Sequence, residues 1–113
     1  RAGADFAEAL ELEPELALVR VGLGRMHQAH ADSARAAGRP VEPHVRAGIA
    51  ELDQAIEAAP EFAEAWARRG IFRHALREFA QADADFKEAA RLDPDSVDEF
   101  RIPWDEARSA LPK

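Results

Sequence analysis

The sequence predicts an all-α domain of stacked helix hairpins, and three observations support this prediction. Alanine dominates the 113 residues, with Leu, Glu, Arg and Gln around it, and all five are strong helix formers. Strand patterns are nearly absent, because the chain has no Tyr and its Val and Ile residues never alternate with polar residues over five or six positions. Between the prolines and glycines, apolar residues recur every three or four residues, the spacing of an amphipathic helix.

Composition places the chain among soluble globular proteins of one domain and excludes several classes of function. Fifteen Lys and Arg against 22 Asp and Glu give a net charge of −7, which argues against binding of nucleic acid or of an anionic membrane. The chain has no Cys, which excludes disulfides, thiolate catalysis and a zinc ribbon. No apolar run approaches the roughly 18 residues of a membrane span, and no signal-peptide pattern opens the chain. We therefore expect a cytoplasmic location.

An internal repeat relates the segments that end at Pro14, Pro60 and Pro94. The last two segments are offset by 34 residues and the first two by 46 residues. At these offsets small, large and small side chains coincide in the triplets Ala2, Phe6, Ala9; Gly48, Leu52, Ala55; and Ala82, Phe86, Ala89. The longer offset therefore contains 12 inserted residues, which lie between Gly24 and Gly48.

Each triplet has the spacing i, i+4, i+7, which places its three side chains on one stripe of a helix. The small residues admit a neighbouring helix and the large residue fills the gap between the two. The proline that follows suits the first turn of the next helix, where its missing N–H would have no partner. Because a lone unit cannot bury its apolar face, the units must stack.

The third unit resembles the tetratricopeptide repeat (TPR). Residues 63–96 supply most of the repeat's signature, namely Trp66, Gly70, Ala82, Phe86, Ala89 and Pro94. Arg69 and Arg73 depart from the Leu and Tyr of the signature, and we expect Ile71 and Phe72 to take over their packing. The resemblance covers about residues 1–96, and it implies a short right-handed superhelical solenoid of antiparallel helix hairpins.

The single domain, residues 1–113, divides into four segments. We expect the second helix of a partial repeat at 1–14, an extended repeat at 15–60, the best-matching repeat at 61–96, and a capping helix with a tail at 97–113. In the extended repeat, one helix is predicted from Glu15 to Ala37 and its return from about Pro43 to Ala59. This hairpin should protrude beyond its neighbours, and the protrusion either contacts a partner or is a solvated extension.

The last segment predicts a cap over the final hydrophobic surface of the stack. Residues 96–99 read Ser-Val-Asp-Glu, the form of a capping box, and Pro103 should break the helix and start another. We expect Phe100, Ile102 and Trp104 to cover the last repeat. The alternative is that Trp104 is an exposed anchor for a partner.

The first segment predicts a chain that continues upstream. Phe6 and Leu10 belong to a helix whose hairpin partner is missing, and Arg1 is not an initiator Met. We therefore expect a fragment of a longer repeat array or multidomain protein. Its open N-terminal repeat face could form a homodimer.

The side chains that could carry catalysis do not form a catalytic pattern. His27 and His30 lie at i, i+3 and could face one ligand, with Asp32 and His44 as further candidates. The sequence defines no clear third ligand or second shell, so we interpret them as surface histidines. Asp83 and Asp85 belong to an acidic cluster with Glu88, and helical spacing places the two aspartates on different faces. They are therefore poor candidates for a catalytic carboxylate pair, and we expect the cluster to be exposed to solvent. No serine has a nucleophile-elbow context and no glycine-rich phosphate loop is present. We predict no enzyme, and no catalytic residue, metal or cofactor.

Binding of a protein or peptide is the predicted function. The TPR resemblance implies that the first helices of the repeats line a concave groove, whose residues here are Val21, Arg25, Gln28, Ala67, Arg68, Ile71 and His74. Arg25 and Arg68 either favour an acidic ligand through bidentate contacts, or pair with Glu64 and other local acids. The alternative function is a structural or regulatory segment of a larger protein, such as a signalling protein, that packs against its own domains.

Overall fold

A computed structural model describes the backbone of residues 2–112 and the side chains of residues 15–112. Helices follow one another along this backbone: α1 (Ala2–Ala36), α2 (Glu42–Ala58), α3 (Ala63–Ala75), α4 (Phe79–Leu92) and α5 (Val97–Ala110), with a 3-10 helix at Pro94–Ser96 before α5. No strand occurs in residues 2–112. The all-α prediction is therefore confirmed.

Each helix packs against the next one along the chain, and alternate helices also meet. Short connections join α1 to α2 and α3 to α4, and these pairs pack along each other, as do α2 with α3 and α4 with α5. In addition α1 contacts α3, and α3 contacts α5. Helices α1, α3 and α5 therefore lie side by side in one layer, and α2 and α4, which do not contact each other, pack against it.

Helix α1 continues through position 14, where the sequence predicts a boundary between two helices. Strong helix formers stand on both sides of the proline, and the backbone does not turn there. Residues 2–14, expected as the second helix of a partial repeat, thus share one helix with the first arm of the extended hairpin. The side chains of Phe6 and Leu10, expected at the open face, lie outside the described residues.

The extended hairpin turns at the predicted place, since α1 ends at Ala36 and α2 runs from Glu42 to Ala58, each limit within one residue of the prediction. The first arm begins at Ala2 and not at the predicted Glu15. Gly38 has φ 72°, and its N–H and that of Arg39 bond the carbonyls of Arg35 and Ala34 at 3.1 and 2.7 Å. This is a Schellman motif, which requires the left-handed conformation that glycine adopts without steric cost. The predicted protrusion is not solvated all round, because Ala31 and Val45 are buried in one core cluster with Phe72 of α3.

Two clusters of buried side chains make the core, and α3 contributes to both. The first cluster joins α1, α2 and α3 and includes Leu52 and Phe72. The second joins α3, α4 and α5 and includes Phe86 and Phe100. Gly70 of α3 makes room for Phe86, since a Cβ there would lie 2.7 Å from Phe86 Cε1.

Helix α5 covers the second cluster, as predicted for a cap, but with a different set of side chains. The Phe100 ring is buried and stacks on the Phe86 ring at 5.2 Å between centroids. Trp104 packs beside both rings, and its Nε1–H donates to Asp83 Oδ1 at 2.8 Å. Ile102, expected in the cap, is 73% exposed. It lies two residues from Phe100, and that spacing places the two side chains on different faces of a helix.

The capping box predicted at residues 96–99 does not form. The Ser96 side chain accepts no backbone N–H, and its Oγ–H instead donates to the Asp93 carbonyl at 2.8 Å. Asp93 caps the preceding 3-10 helix, since its Oδ1 accepts the Asp95 N–H at 3.2 Å. The break expected near Pro103 occurs at Phe100, whose φ of −125° and ψ of 16° leave the helical region.

Within the described residues, none of the helices combines the length and the hydropathy that a membrane span requires.

Candidate partner-binding groove

A groove runs along the layer of α1, α3 and α5. It consists of two adjoining clefts that share Gln28 and Ile71 as lining residues. We call the first, of about 1000 Å³, the hairpin cleft, because the tip of the extended hairpin forms one of its walls. We call the second, of about 760 Å³, the acidic cleft; it lies between α1, α3 and the start of α5.

The structure brings six of the seven predicted groove residues to this groove. The acidic cleft is lined by Arg25, Gln28, Ala67, Arg68 and Ile71, and the hairpin cleft by Gln28, Ile71 and His74. Val21 was predicted at the groove and is instead buried in the core, with 1% exposure. Because Val21 follows Ala17 at i+4, it continues the α1 stripe that faces the first core cluster.

The stretch between Gly24 and Gly48, which contains the 12-residue insertion, builds one wall of the hairpin cleft. Its residues Ala31, Asp32, Arg35 and Val45 line the cleft opposite α5. The sequence prediction did not include them in the groove, although the 12-residue insertion was the signal that could have identified this wall. The protrusion therefore adds a side to the groove that a hairpin of ordinary length would leave open.

The end of α3 carries two aromatic contacts in the hairpin cleft. The His74 ring packs edge-on against Phe79 at 5.7 Å, and its Nε2 lies 2.9 Å from Glu106 Oε1 on α5. Arg77 lies in the left-handed region with φ 63°, which costs a residue with a Cβ about 1–2 kcal/mol. This conformation places its guanidinium group 5.5 Å from the centroid of the Phe79 ring.

The two groove arginines converge on one carboxylate. Glu64 Oε2 accepts hydrogen bonds from Arg68 Nε at 2.9 Å and from Arg25 Nε at 3.0 Å. Arg68 also donates to Gln28 Oε1 at 3.1 Å. Partial burial acts to raise the pKa of Glu64, but the hydrogen bonds and charges of the two arginines outweigh it and hold the pKa below its usual value. The sequence left two roles open for Arg25 and Arg68, binding of an acidic ligand or pairing with local acids. In the structure both arginines pair with Glu64.

Carboxylates outnumber arginines along the groove. Seven acids line the two clefts: Asp32, Glu61, Glu64, Asp93, Glu99, Asp105 and Glu106. Four arginines line them, Arg25, Arg35, Arg68 and Arg77, so that the balance is 4 − 7 = −3. Glu61, Asp93 and Glu99 of the acidic cleft form no ion pair with any residue between 15 and 112. The lining of this groove is therefore acidic rather than basic.

Asp83 and Asp85 are buried, which corrects the expectation of a solvated face. The Asp85 carboxylate accepts from Arg69 Nε and Nη2 at 3.0 and 2.9 Å and from Arg73 Nη1 at 3.2 Å. Asp83 accepts from Trp104 and pairs with Lys87. The two carboxylates do point to different faces, as predicted, one toward α3 and one toward α5, and both hold helices together.

The histidines of the extended hairpin lie near one another without forming a ligand set. The His27 and His30 rings are 6.3 Å apart, and the His30 and His44 rings are 5.8 Å apart. In the part of the chain that the structure describes, no three His, Cys, Asp or Glu side chains are placed to hold a metal ion.

Comparisons with protein-family models, curated proteins and solved structures give no significant match to this chain. The functional argument therefore proceeds from the geometry and charge of the groove.

Proposed function

We propose that this chain is a protein-interaction module, a short TPR-like right-handed solenoid that binds a peptide or a partner helix in its groove. The observation that carries the proposal is an open groove with an apolar floor, two adjoining clefts of about 1000 and 760 Å³ along α1, α3 and α5. Helix α5 forms one side of the groove and leaves it open. The floor includes Phe62, Ala67, Ile71 and Phe72. Concave, largely apolar sites with a few polar groups are typical of ligand binding.

Burial at equivalent positions supports the repeat architecture. Leu52 and Phe86, which are 34 residues apart, are each fully buried, on α2 and α4 respectively. Ala55 and Ala89, at the same offset, are also fully buried. Identical burial at a fixed offset is what a stack of like hairpins requires, because each unit buries the same stripe against its neighbour.

The proposal that the groove binds an acidic ligand has less support than the proposal of groove binding itself. It depends on Arg25 and Arg68, and both guanidinium groups already bind Glu64. An acidic ligand would have to displace that carboxylate or share the two arginines with it.

A second candidate function is favoured by the outer face of α1. Leu18 and Val19 are 59% and 60% exposed there, and Met26 is also exposed. A structural or regulatory segment of a larger protein would bury this face against a neighbouring domain, and in isolation the same face could pair two copies of the chain. In that case the groove would need no ligand.

Selection of peptides from a random display library against the immobilised chain tests the proposal. Ile71→Glu places a charge on the groove floor, and Ile102→Glu makes the same change at an exposed site outside the groove. We expect peptides that bind the wild type and the Ile102→Glu variant and lose at least tenfold in affinity with Ile71→Glu. Ala75→Glu, at an exposed position of the hairpin cleft, repeats the test without disturbing the core.

Circular dichroism confirms that each variant is folded before its binding is compared. Failure to enrich any peptide, or equal binding by all of the variants, overturns the groove proposal. Sedimentation equilibrium of the wild type and of Leu18→Glu then tests the second candidate, which predicts dimers that the substitution dissociates.

A further inference from the structure

We infer that the groove selects a basic segment, a peptide or helix whose Lys or Arg residues alternate with apolar ones. This inference presupposes the groove function proposed above and names the chemistry of its partner. It follows from the distribution of charge and apolar surface along the acidic cleft.

The positive charges of the groove are largely engaged within the protein. Arg25 and Arg68 share Glu64, and Arg35 pairs with Asp32 on its own helix at 3.1 Å. Because its pKa is lowered, Glu64 stays ionised at neutral pH, hydrogen-bonds both arginines and offsets one of their two charges. An incoming carboxylate would therefore compete with one already in place.

The negative charges of the acidic cleft are available to a ligand. Glu61, Asp93 and Glu99 are exposed and line the cleft around its apolar residues. Asp93 also caps the 3-10 helix, but only one of its oxygens is used for that bond. A ligand in this cleft thus meets three carboxylates that no described cation neutralises.

The same cleft offers an apolar floor for the rest of the partner. The half-buried Phe62, Ile71 and Leu92 contribute apolar surface to its lining, and the buried Ala67 and Phe100 lie beneath them. Burial of apolar side chains on this floor would supply most of the affinity. The exposed carboxylates would supply selectivity and a faster association, since exposed ion pairs each contribute little to affinity. A segment that combines apolar and basic residues satisfies both parts of the surface.

The charge of the peptides enriched by the display experiment tests this inference separately from the groove function. We expect enriched sequences to carry a net positive charge, and their Lys/Arg→Glu counterparts to show no binding. If neutral or acidic peptides are enriched instead and still depend on Ile71, the groove function stands and the basic preference is overturned. If no peptide is enriched, the groove function itself fails.

Two triple variants of equal net charge then locate the attraction. Glu61→Gln/Asp93→Asn/Glu99→Gln removes the three carboxylates of the acidic cleft that have no described ion pair. It keeps an oxygen at position 93 that can cap the 3-10 helix. Glu15→Gln/Glu57→Gln/Asp95→Asn removes three exposed carboxylates that do not line the groove.

We expect about tenfold weaker binding of the basic peptide by the first triple variant, from three exposed ion pairs. The second should bind within twofold of the wild type. Fluorescence anisotropy at 0.15 M salt measures both. Equal weakening by the two variants overturns the inference, because it would assign the attraction to the overall charge of the chain.

Discussion

Asp85 binds Arg69 and Arg73, the two residues that depart from the Leu and Tyr of the signature that residues 63–96 resemble. Arg69 binds the carboxylate with two nitrogens, Arg73 adds a third bond, and the carboxylate is only 2% exposed. Arg69 also reaches Asp53 of α2 and lies 5.0 Å from the centroid of the Trp66 ring. An ionic network therefore joins α2, α3 and α4 through the buried carboxylate of Asp85.

Asp85→Asn should destabilise the protein by about 3 kcal/mol, because it leaves a largely buried guanidinium group without its counter-charge. Asp53→Asn is the matched control. It removes a carboxylate from the same arginine, but that carboxylate is half exposed, and the expected loss is below about 1 kcal/mol. Urea unfolding followed by circular dichroism at 222 nm gives both free energies. Equal losses for the two variants would contradict the assigned role of Asp85.

Two glycines of the helices, Gly48 and Gly70, lie directly against aromatic rings, whereas Gly22 does not. A methyl group at Gly48 would overlap the Phe72 ring, and one at Gly70 would lie 2.7 Å from Phe86. Gly48→Ala and Gly70→Ala should therefore each cost about 1–3 kcal/mol of unfolding free energy despite the better helix propensity of alanine.

Gly22→Ala is the control for these two substitutions, because Gly22 is exposed on α1 with no atom within 4 Å of the added Cβ. It should stabilise the protein by up to about 1 kcal/mol. Thermal unfolding of the three variants checks the ranking. A stabilising Gly70→Ala would mean that Phe86 does not pack against that glycine.

At the scale of whole helices, Glu64 of α3 links this helix to α1 through its bond from Arg25, while Arg68 bonds it from within α3. Its pKa is lowered in the folded protein, so these bonds stabilise the fold above the usual carboxyl value near 4.5. The stabilisation is lost as the pH falls through the lower, folded value. Glu64→Gln should cost about 1 kcal/mol at pH 7, since Arg25 is half exposed.

The difference in unfolding free energy between the wild type and Glu64→Gln should shrink as the pH is lowered from 5 toward 3. Urea titrations across this range measure it. Glu57→Gln, at an exposed position with no described ion partner, controls for general acid effects. A difference that stays constant down to pH 3 would exclude Glu64 as the titrating group.

The end of α1 and the start of α2 could be predicted because local chemistry sets both positions. The left-handed Gly38 and the prolines beyond it end one helix and start the next, whatever packs around them. The burial of Asp85 and the hydrogen bond from Trp104 to Asp83 could not be predicted in the same way, since their partners lie 16 and 21 residues away. The choice of Asp93 over Ser96 as a cap likewise depends on a 3-10 turn that the sequence pattern did not indicate.

The candidate groove could likewise be predicted only in part. Its side of α3 was predicted from the TPR resemblance, which implies that the first helix of each repeat lines a groove. The prediction was wrong at Val21, one turn before Arg25, because Val21 continues the stripe of α1 that begins at Ala17 and faces the first core cluster. The charge of the groove was not evident either, since Glu61, Asp93 and Glu99 come from connections and from α5, which only the fold brings beside α3.

At the scale of the molecule, α3 joins the two core clusters and should make unfolding cooperative. Phe72 on α3 completes the first cluster, and Trp66 and Ile71 on the same helix pack against the second. Loss of either cluster therefore removes the support for the other face of α3. In a stack of repeats, such interfaces between neighbours are what couple the units.

Leu52→Ala tests this coupling, because Leu52 belongs to the first cluster and both tryptophans report on the second. The substitution should cost about 2–5 kcal/mol. We expect the urea midpoints from tryptophan fluorescence and from circular dichroism at 222 nm to fall together, with Gln54→Ala, at an exposed position of α2, leaving both unchanged. If Leu52→Ala lowered only the dichroism midpoint, α3–α5 would fold without the first hairpin, and the groove between α1 and α3 could then open independently of the cap.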